Sequence, residues 1–272
     1  MKHPVPSATI PKQSPWQIQR AVVFAVFVRE LRTRFGQFQL GYLWAILEPL
    51  SMILILSSVR VIFGRSDIAG LAFPVFFASG IITYLLFNHI ILSALSTVEG
   101  NLSLFNYQRV KPFDIVFARS LLELLISIGT ALVIFPGMYW LGFSFHWNDT
   151  LQLAAVLACL YAMSFGIGLM LCVLGPMWQE AKKVIPVVIR PFFFISGIFF
   201  SVGTIPEAVR PLALINPLLH FTELVRGAMF QEFDAQGASL AYVFCWSVGC
   251  LLVGLWIYRV NRVKIVTSGT IR

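Results

Sequence analysis

The chain has 272 residues, 58% of them hydrophobic and 12% charged, against about 45–50% and about 25% in ordinary soluble domains. Apolar runs this long exceed what one buried core can hide, so the composition excludes a simple soluble domain and predicts a membrane protein. The net charge of +8 does not point to nucleic acid, because the basic residues stand at the ends of apolar runs, where orientation and snorkelling need them.

Residues 1–15 contain Pro4, Pro6, Pro11 and Pro15 and no apolar core of their own. They read as a flexible cytosolic tail rather than a secretory signal. Residues 16–39 predict an amphipathic interface helix: Phe24, Phe27, Leu31, Phe35 and Phe38 share one face, and Arg29, Arg32, Thr33 and Gln37 lie away from it. A hydrocarbon core of about 30 Å needs about 20 mostly apolar residues. Six segments meet that test, 40–63, 72–95, 114–141, 150–174, 184–201 and 239–258. Sixteen lysines and arginines fall on the side of the N-terminal arm, against Arg60, Arg65, Arg210 and Arg226 on the other. This bias predicts that both termini are cytoplasmic, with 259–272 a basic cytosolic tail.

Polar residues inside or between the spans carry the functional signal. Glu48 lies about 12 Å along the first span and should face the bundle interior, with Arg119 or Arg190 as its cation; Pro49 permits a bend there. The connection 98–113 exposes Leu102, Leu104, Phe105 and Tyr107 beside Arg109 and Lys111. It reads as a docking element for a partner protein or as an interfacial helix resting on lipid. Asp114 follows Pro112 as a favourable charge at a helix start. Arg119 and Glu123 stand one helical turn apart and can pair within their span. Ser164, Gly168 and Cys172 form a small-residue face for close helix contact. The segment 205–230, broken by Pro211 and Pro217, is too short to cross; it predicts a re-entrant helical hairpin on the outer side, or a loop lying on headgroups.

Catalytic patterns are lacking. The sequence has no GxxxxGK[ST], HExxH or GxSxG, and His3, His89, His146 and His220 fall in different segments. Cys159, Cys172, Cys245 and Cys250 all lie in apolar segments and predict small packed thiols rather than a metal site. A secondary transporter using Glu48 is the rival from another class. A membrane-embedded glycosyl- or acyltransferase lacks a carboxylate or histidine constellation, and polar groups within spans argue against a passive scaffold.

Three stretches carry a family likeness: "RELRTRFGQFQLGYLWAILEP" from Arg29, "LFNYQRVKPFD" from Leu104 and "INPLLHFTELVR" from Ile215. They resemble the membrane subunit of ABC-2-type polysaccharide exporters, most of all the inner-membrane permease of Gram-negative group 2 capsular polysaccharide export. The likeness runs from about Val22 to Tyr258. It implies an all-α, type V exporter-like fold of six transmembrane helices with residues 16–39 as a gate helix. It also implies a homodimer in the inner membrane with two copies of a cytosolic ATPase, a periplasmic copolymerase-type protein and an outer-membrane export protein. The cargo would be a lipid-linked acidic polysaccharide; export of O-antigen or teichoic acid is the alternative within the class. No cofactor is expected on this chain, since ATP and Mg²⁺ would sit on the ATPase. On this resemblance Arg29, Arg32 and Arg34 hold the anchor's phosphate or acidic linker sugars, or else bind anionic lipid heads. Tyr42, Trp44 and Glu48 line the conduit, or the two aromatics form an interfacial belt. Leu104, Phe105, Asn106, Tyr107, Arg109 and Lys111 couple to the ATPase.

Overall fold

A computed structural model describes residues 14–35, 41–62, 67–101 and 110–270. The helices among them are α1 (Pro15–Phe35), α2 (Gly41–Ile62), α3 (Phe73–Leu95), α4 (Pro112–Trp140), α5 (Thr150–Met177), α6 (Ala181–Ile195), α7 (Arg210–Ala213), α8 (Pro217–Met229) and α9 (Leu240–Thr270). A two-strand hairpin, β1 (Asp67–Ile68) and β2 (Leu71–Ala72), precedes α3. Local chemistry sets several starts. The Asp149 carboxylate accepts from the Leu151 and Gln152 amides at 2.8 and 3.1 Å and so caps α5. Asn216 accepts from the Leu218 amide at 3.0 Å, with Pro217 in the first turn of α8. At the head of α4 the Lys111 amide donates to Asp114 at 3.0 Å, just before Pro112.

Five helices, α2, α3, α4, α5 and α9, are long and apolar enough to cross a membrane. The segment 184–201, expected as a further span, behaves differently. Its helix α6 has 15 residues with Pro186 and Pro191 inside it, and is about 22 Å long, short of a hydrocarbon core of about 30 Å. The chain then turns through Gly197 at φ +73°, a left-handed conformation that glycine adopts without penalty. At the far end α9 continues through most of the segment read as a basic tail, as helix to Thr270.

Helix α3 is apolar around most of its circumference and is the one the others enclose, with Phe76, Phe77, Ile81 and Ile90 fully buried. α2 and α9 present most of their surface outward. The tightest crossing joins α5 to α9. A β-carbon on Gly254 would fall 2.2 Å from the Gly166 carbonyl oxygen, and one on Gly166 would fall 2.5 Å from the Cys250 carbonyl. Backbone here lies directly on backbone, which is how apolar helices gain contact where water supplies no driving force. Ser164, Gly168 and Cys172 are buried on the same helix, and Gly168 faces Ala94 of α3.

Between α6 and α9 the chain folds over one end of the bundle. Arg226 of α8 is fully buried, its guanidinium 3.5 Å from the Phe76 ring centroid. It donates to the Phe76 carbonyl at 3.1 and 3.3 Å and to the Ser79 hydroxyl at 3.2 Å, and lies 3.7 Å from Glu223, equally buried. Glu223 in turn accepts from the Ser201 hydroxyl and the Val202 amide, both at 3.2 Å. The space for this arginine exists because position 80 is glycine: a β-carbon there would sit 2.4 Å from the guanidinium. His220 accepts from the Ser239 amide at 3.1 Å on Nδ1 and donates from Nε2 to the Leu214 carbonyl at 2.8 Å, which fixes its tautomer and joins α8 to the start of α9.

Replacing Gly254 with leucine should lower the thermal midpoint of the detergent-purified protein by roughly 5–10 °C, from an overpacking cost of about 2–3 kcal/mol. Gly249→Leu, on the same helix with nothing within 4 Å of its β-carbon position, should leave the midpoint unchanged. Equal losses for the two variants would contradict the contact.

Candidate functional site

Helix α1 leans along the first half of α4, with Val26 buried against Ile115 and Ala118. Glu30 and Arg34 stand one turn apart on α1; Arg119 and Glu123 stand one turn apart on α4, in the opposite order of charge. The four side chains pair crosswise. Arg119 donates to both Glu30 oxygens, from Nε at 2.9 Å and Nη2 at 3.3 Å, and Arg34 pairs with Glu123. The pairing of Arg119 with Glu123 inside one helix, anticipated from their spacing, gives way to these contacts. A neighbour on the same helix does not offer the forked geometry that a facing helix presents to a guanidinium. Three more bonds close this end: Gln19 donates to Asp114, Arg29 donates to Asn101 Oδ1 at 2.6 Å, and Arg119 Nη1 donates to the Ser93 carbonyl at 3.1 Å.

The network continues inward through His89 of α3. Its Nδ1 lies 3.6 Å from Glu123 and its Nε2 lies 3.6 Å from Glu48 of α2. Glu48 thus takes a histidine as its partner, in place of Arg119 or Arg190. Arg34 and a protonated His89 would balance Glu48 and Glu123 charge for charge. Pro49 lies within an uninterrupted α2 and lines, with Ala45 and Glu48, a small cavity of about 30 Å³ at this cluster. A wider polar groove of about 310 Å³ opens beside it, lined by Glu30, Thr33, Arg34, Ser93, Ser96 and Arg119. The arrangement offers paired charge and hydroxyl groups, suited to holding helices and water rather than to breaking bonds. No group of three metal-ligating side chains occurs among the described residues.

The other residues singled out from the sequence distribute as follows. Arg29 and Arg34 each reach a partner on another segment, and both Arg32 and Arg34 are exposed. Tyr42 belongs to the first turn of α2, and Trp44 is exposed on that helix. Lys111 is exposed immediately before α4. Leu104, Phe105, Asn106, Tyr107 and Arg109 lie outside the described residues. Glu30, His89 and Asn101 join this cluster although the sequence did not mark them as site residues. The signals available were the one-turn spacing of Glu30 and Arg34, and a lone histidine within an apolar run, which membrane energetics marks as functional by default.

Reversing one member of a crossed pair, Glu30→Arg or Arg119→Glu, should destabilise the purified protein by on the order of 3 kcal/mol, since each variant leaves like charges facing in a largely enclosed place. The double reversal should recover most of that loss in the same thermal-unfolding assay. Additive losses would rule out the direct pairing.

Comparison with known proteins agrees with this architecture. Residues 21–230 match the family described as ABC-2 type transporter. The chain is 37% identical over 256 residues to the polysialic acid transport protein KpsM of Escherichia coli, covering 94% of this chain and 99% of that one. It is 27% identical over 244 residues to the capsule polysaccharide export inner-membrane protein CtrC of Neisseria meningitidis, covering 88% and 90%. It is 24% identical over 238 residues to the capsule polysaccharide export inner-membrane protein BexB of Haemophilus influenzae, again covering 88% and 90%. A family match spanning most of the sequence, with relatives aligned nearly end to end, shows that the chain belongs to the ABC-2 type transporter family.

Proposed function

We propose that the chain is the membrane-spanning subunit of an ATP-driven exporter that moves lipid-anchored capsular polysaccharide from the cytoplasm across the inner membrane. The observation that carries this reading is the alignment of 94% of the chain with a polysialic acid transport protein, alongside relatives named for capsule polysaccharide export. In this reading the chain is not itself an enzyme. ATP and Mg²⁺ belong to two copies of a partner ATPase, and two copies of this chain form the path. A periplasmic copolymerase-type protein and an outer-membrane export protein carry the polymer onward.

The topology proposed has six crossings, the fifth made by α6 together with residues 196–201, and both termini in the cytoplasm. α1 then lies at the inner interface as a gate helix, and α7 with α8 forms a re-entrant hairpin at the periplasmic face. The charge arrangement supports a route for mechanical coupling. Segment 98–113 would meet the ATPase through Phe105 and Tyr107, with Lys111 beside them. Lys111 leads directly into α4, and α4 bears the two charges that grip α1. Movement of the segment would therefore shift α4 and α1 together as rigid elements. Arg32, exposed on α1, remains open to an acidic linker group, while Arg29 and Arg34 keep the helix seated. Trp44, exposed on α2, would stack on sugar rings.

Purification of the tagged chain from its native membranes should yield two copies with two copies of a P-loop ATPase by intact-complex mass spectrometry. Phe105→Ala with Tyr107→Ala should reduce the ATPase recovered by at least fivefold without reducing insertion, and should leave polymer accumulating inside the cell. A chain that exports polymer with no ATPase attached would overturn the reading in favour of ion-coupled transport through Glu48.

A further inference from the structure

A second cleft lies between α1 and α4. Phe24 and Phe27 of α1 and Phe113, Phe117, Leu121 and Leu125 of α4 line it, and its volume is about 820 Å³, within the range of pockets that enclose a ligand. From residue 113 to residue 125 the α4 wall extends about 18 Å, close to half of a hydrocarbon core of about 30 Å. A wall of that length matches one leaflet.

Its wall is rigid. The Phe113 and Phe117 rings are stacked 6.3 Å apart and 3° from parallel, and both meet Phe165 edge-on at 5.6 and 5.9 Å. The Phe113 amide donates to the Tyr258 hydroxyl at 3.3 Å, fixing the foot of α4 to α9. Of the neutral polar side chains along the cleft, Gln19 donates to Asp114 and the Gln17 side-chain carbonyl accepts from the Ser14 amide at 2.9 Å, while the exposed Trp16 indole also lines it. Arg20 also lines the cleft. It is exposed, and among the described residues it has no hydrogen-bond or ion-pair partner. Among the described residues the cleft thus presents one unengaged cation beside a largely apolar wall.

We infer that this cleft holds an acyl chain of an anionic phospholipid of the inner leaflet, with Arg20 on the headgroup phosphate. The inference rests on the cytoplasmic placement of α1 proposed above. The charge selects the headgroup, and the leaflet-length apolar wall selects an acyl chain over a free phosphate, which would have no use for it. Bound there, the lipid wedges α1 against α4 on a surface that the crossed ion pairs do not occupy.

The test uses the full-length protein in lipid nanodiscs, without ATPase or polymer. Phosphatidylglycerol and phosphatidylcholine probes with the same photoactivatable acyl chain are crosslinked, and the labelled peptides are mapped by mass spectrometry. Labelling by the phosphatidylglycerol probe should concentrate on residues 113–125 at least fivefold over the outward face of α9. Arg20→Gln should lower it at least threefold, Arg20→Lys should restore part of it, and Arg259→Gln should leave it unchanged. Equal labelling of the cleft and α9, equal labelling by both probes, or no response to Arg20→Gln would reduce the cleft to ordinary boundary lipid and overturn the inference. Because neither cargo nor nucleotide is present, the identity of the exported polymer does not enter the outcome.

Discussion

A guanidinium or carboxylate within a bilayer costs several kcal/mol unless the protein brings its counter-charge to it. Arg119 and Glu123 meet that condition because α1 lies alongside and supplies Glu30 and Arg34 in matching order. Much else at this end follows from that. With Glu123 held on one side by Arg34, its other oxygen faces His89, and His89 then serves Glu48. Four helices meet at a chain of charges that no one of them could carry alone. Removing α1 would leave two half-enclosed charges on α4 and expose the Ile115 and Ala118 surface that Val26 covers.

The same condition is met differently at the opposite end. Arg226 is enclosed by an aromatic ring, two carbonyls and a hydroxyl as well as by Glu223, so its position depends on the local shape of α3 and not on charge alone. A buried ion pair of this kind is weak evidence for net stability but strong evidence for a fixed arrangement, because shifting either partner leaves a lone charge in a dry place. The first cluster borders a groove and joins helices that the proposed mechanism sets in motion. The second is sealed and ties α8 to α3 and to residues 198–202.

Hydropathy made most of the spans legible: the segment 72–95 corresponds to α3 (Phe73–Leu95) almost residue for residue. Segment 184–201 is less uniform than hydropathy suggests, because a running count of apolar residues registers neither the two prolines within α6 nor the left-handed turn at Gly197. The candidate site was legible in part. Arg29, Arg34, Glu48, Arg119 and Glu123 all converge on one end of the bundle, yet the partners of Glu48, Arg119 and Glu123 differ from those their spacing suggested. Helical periodicity describes neighbours on one helix, and the partners that matter come from 89 positions away in sequence. The role of His89 was illegible for a related reason: it arises from carboxylates on two other helices. The resemblance to polysaccharide permeases came from residue identities in short motifs, independently of any of these contacts.

The glycine crossing of α5 and α9 has a mechanical consequence. Beyond Tyr258, α9 continues as helix to Thr270, a length of about 18 Å. Its root is clamped by Gly166 against Gly254 and pinned by the Tyr258 hydroxyl to the foot of α4. A helix continued from so fixed a root would act as a stiff pointer rather than a tether. A tilt of the α5–α9 pair by about 10° would sweep its tip by about 3 Å, converting a small rotation within the bundle into a displacement large enough for a spin-label distance to record.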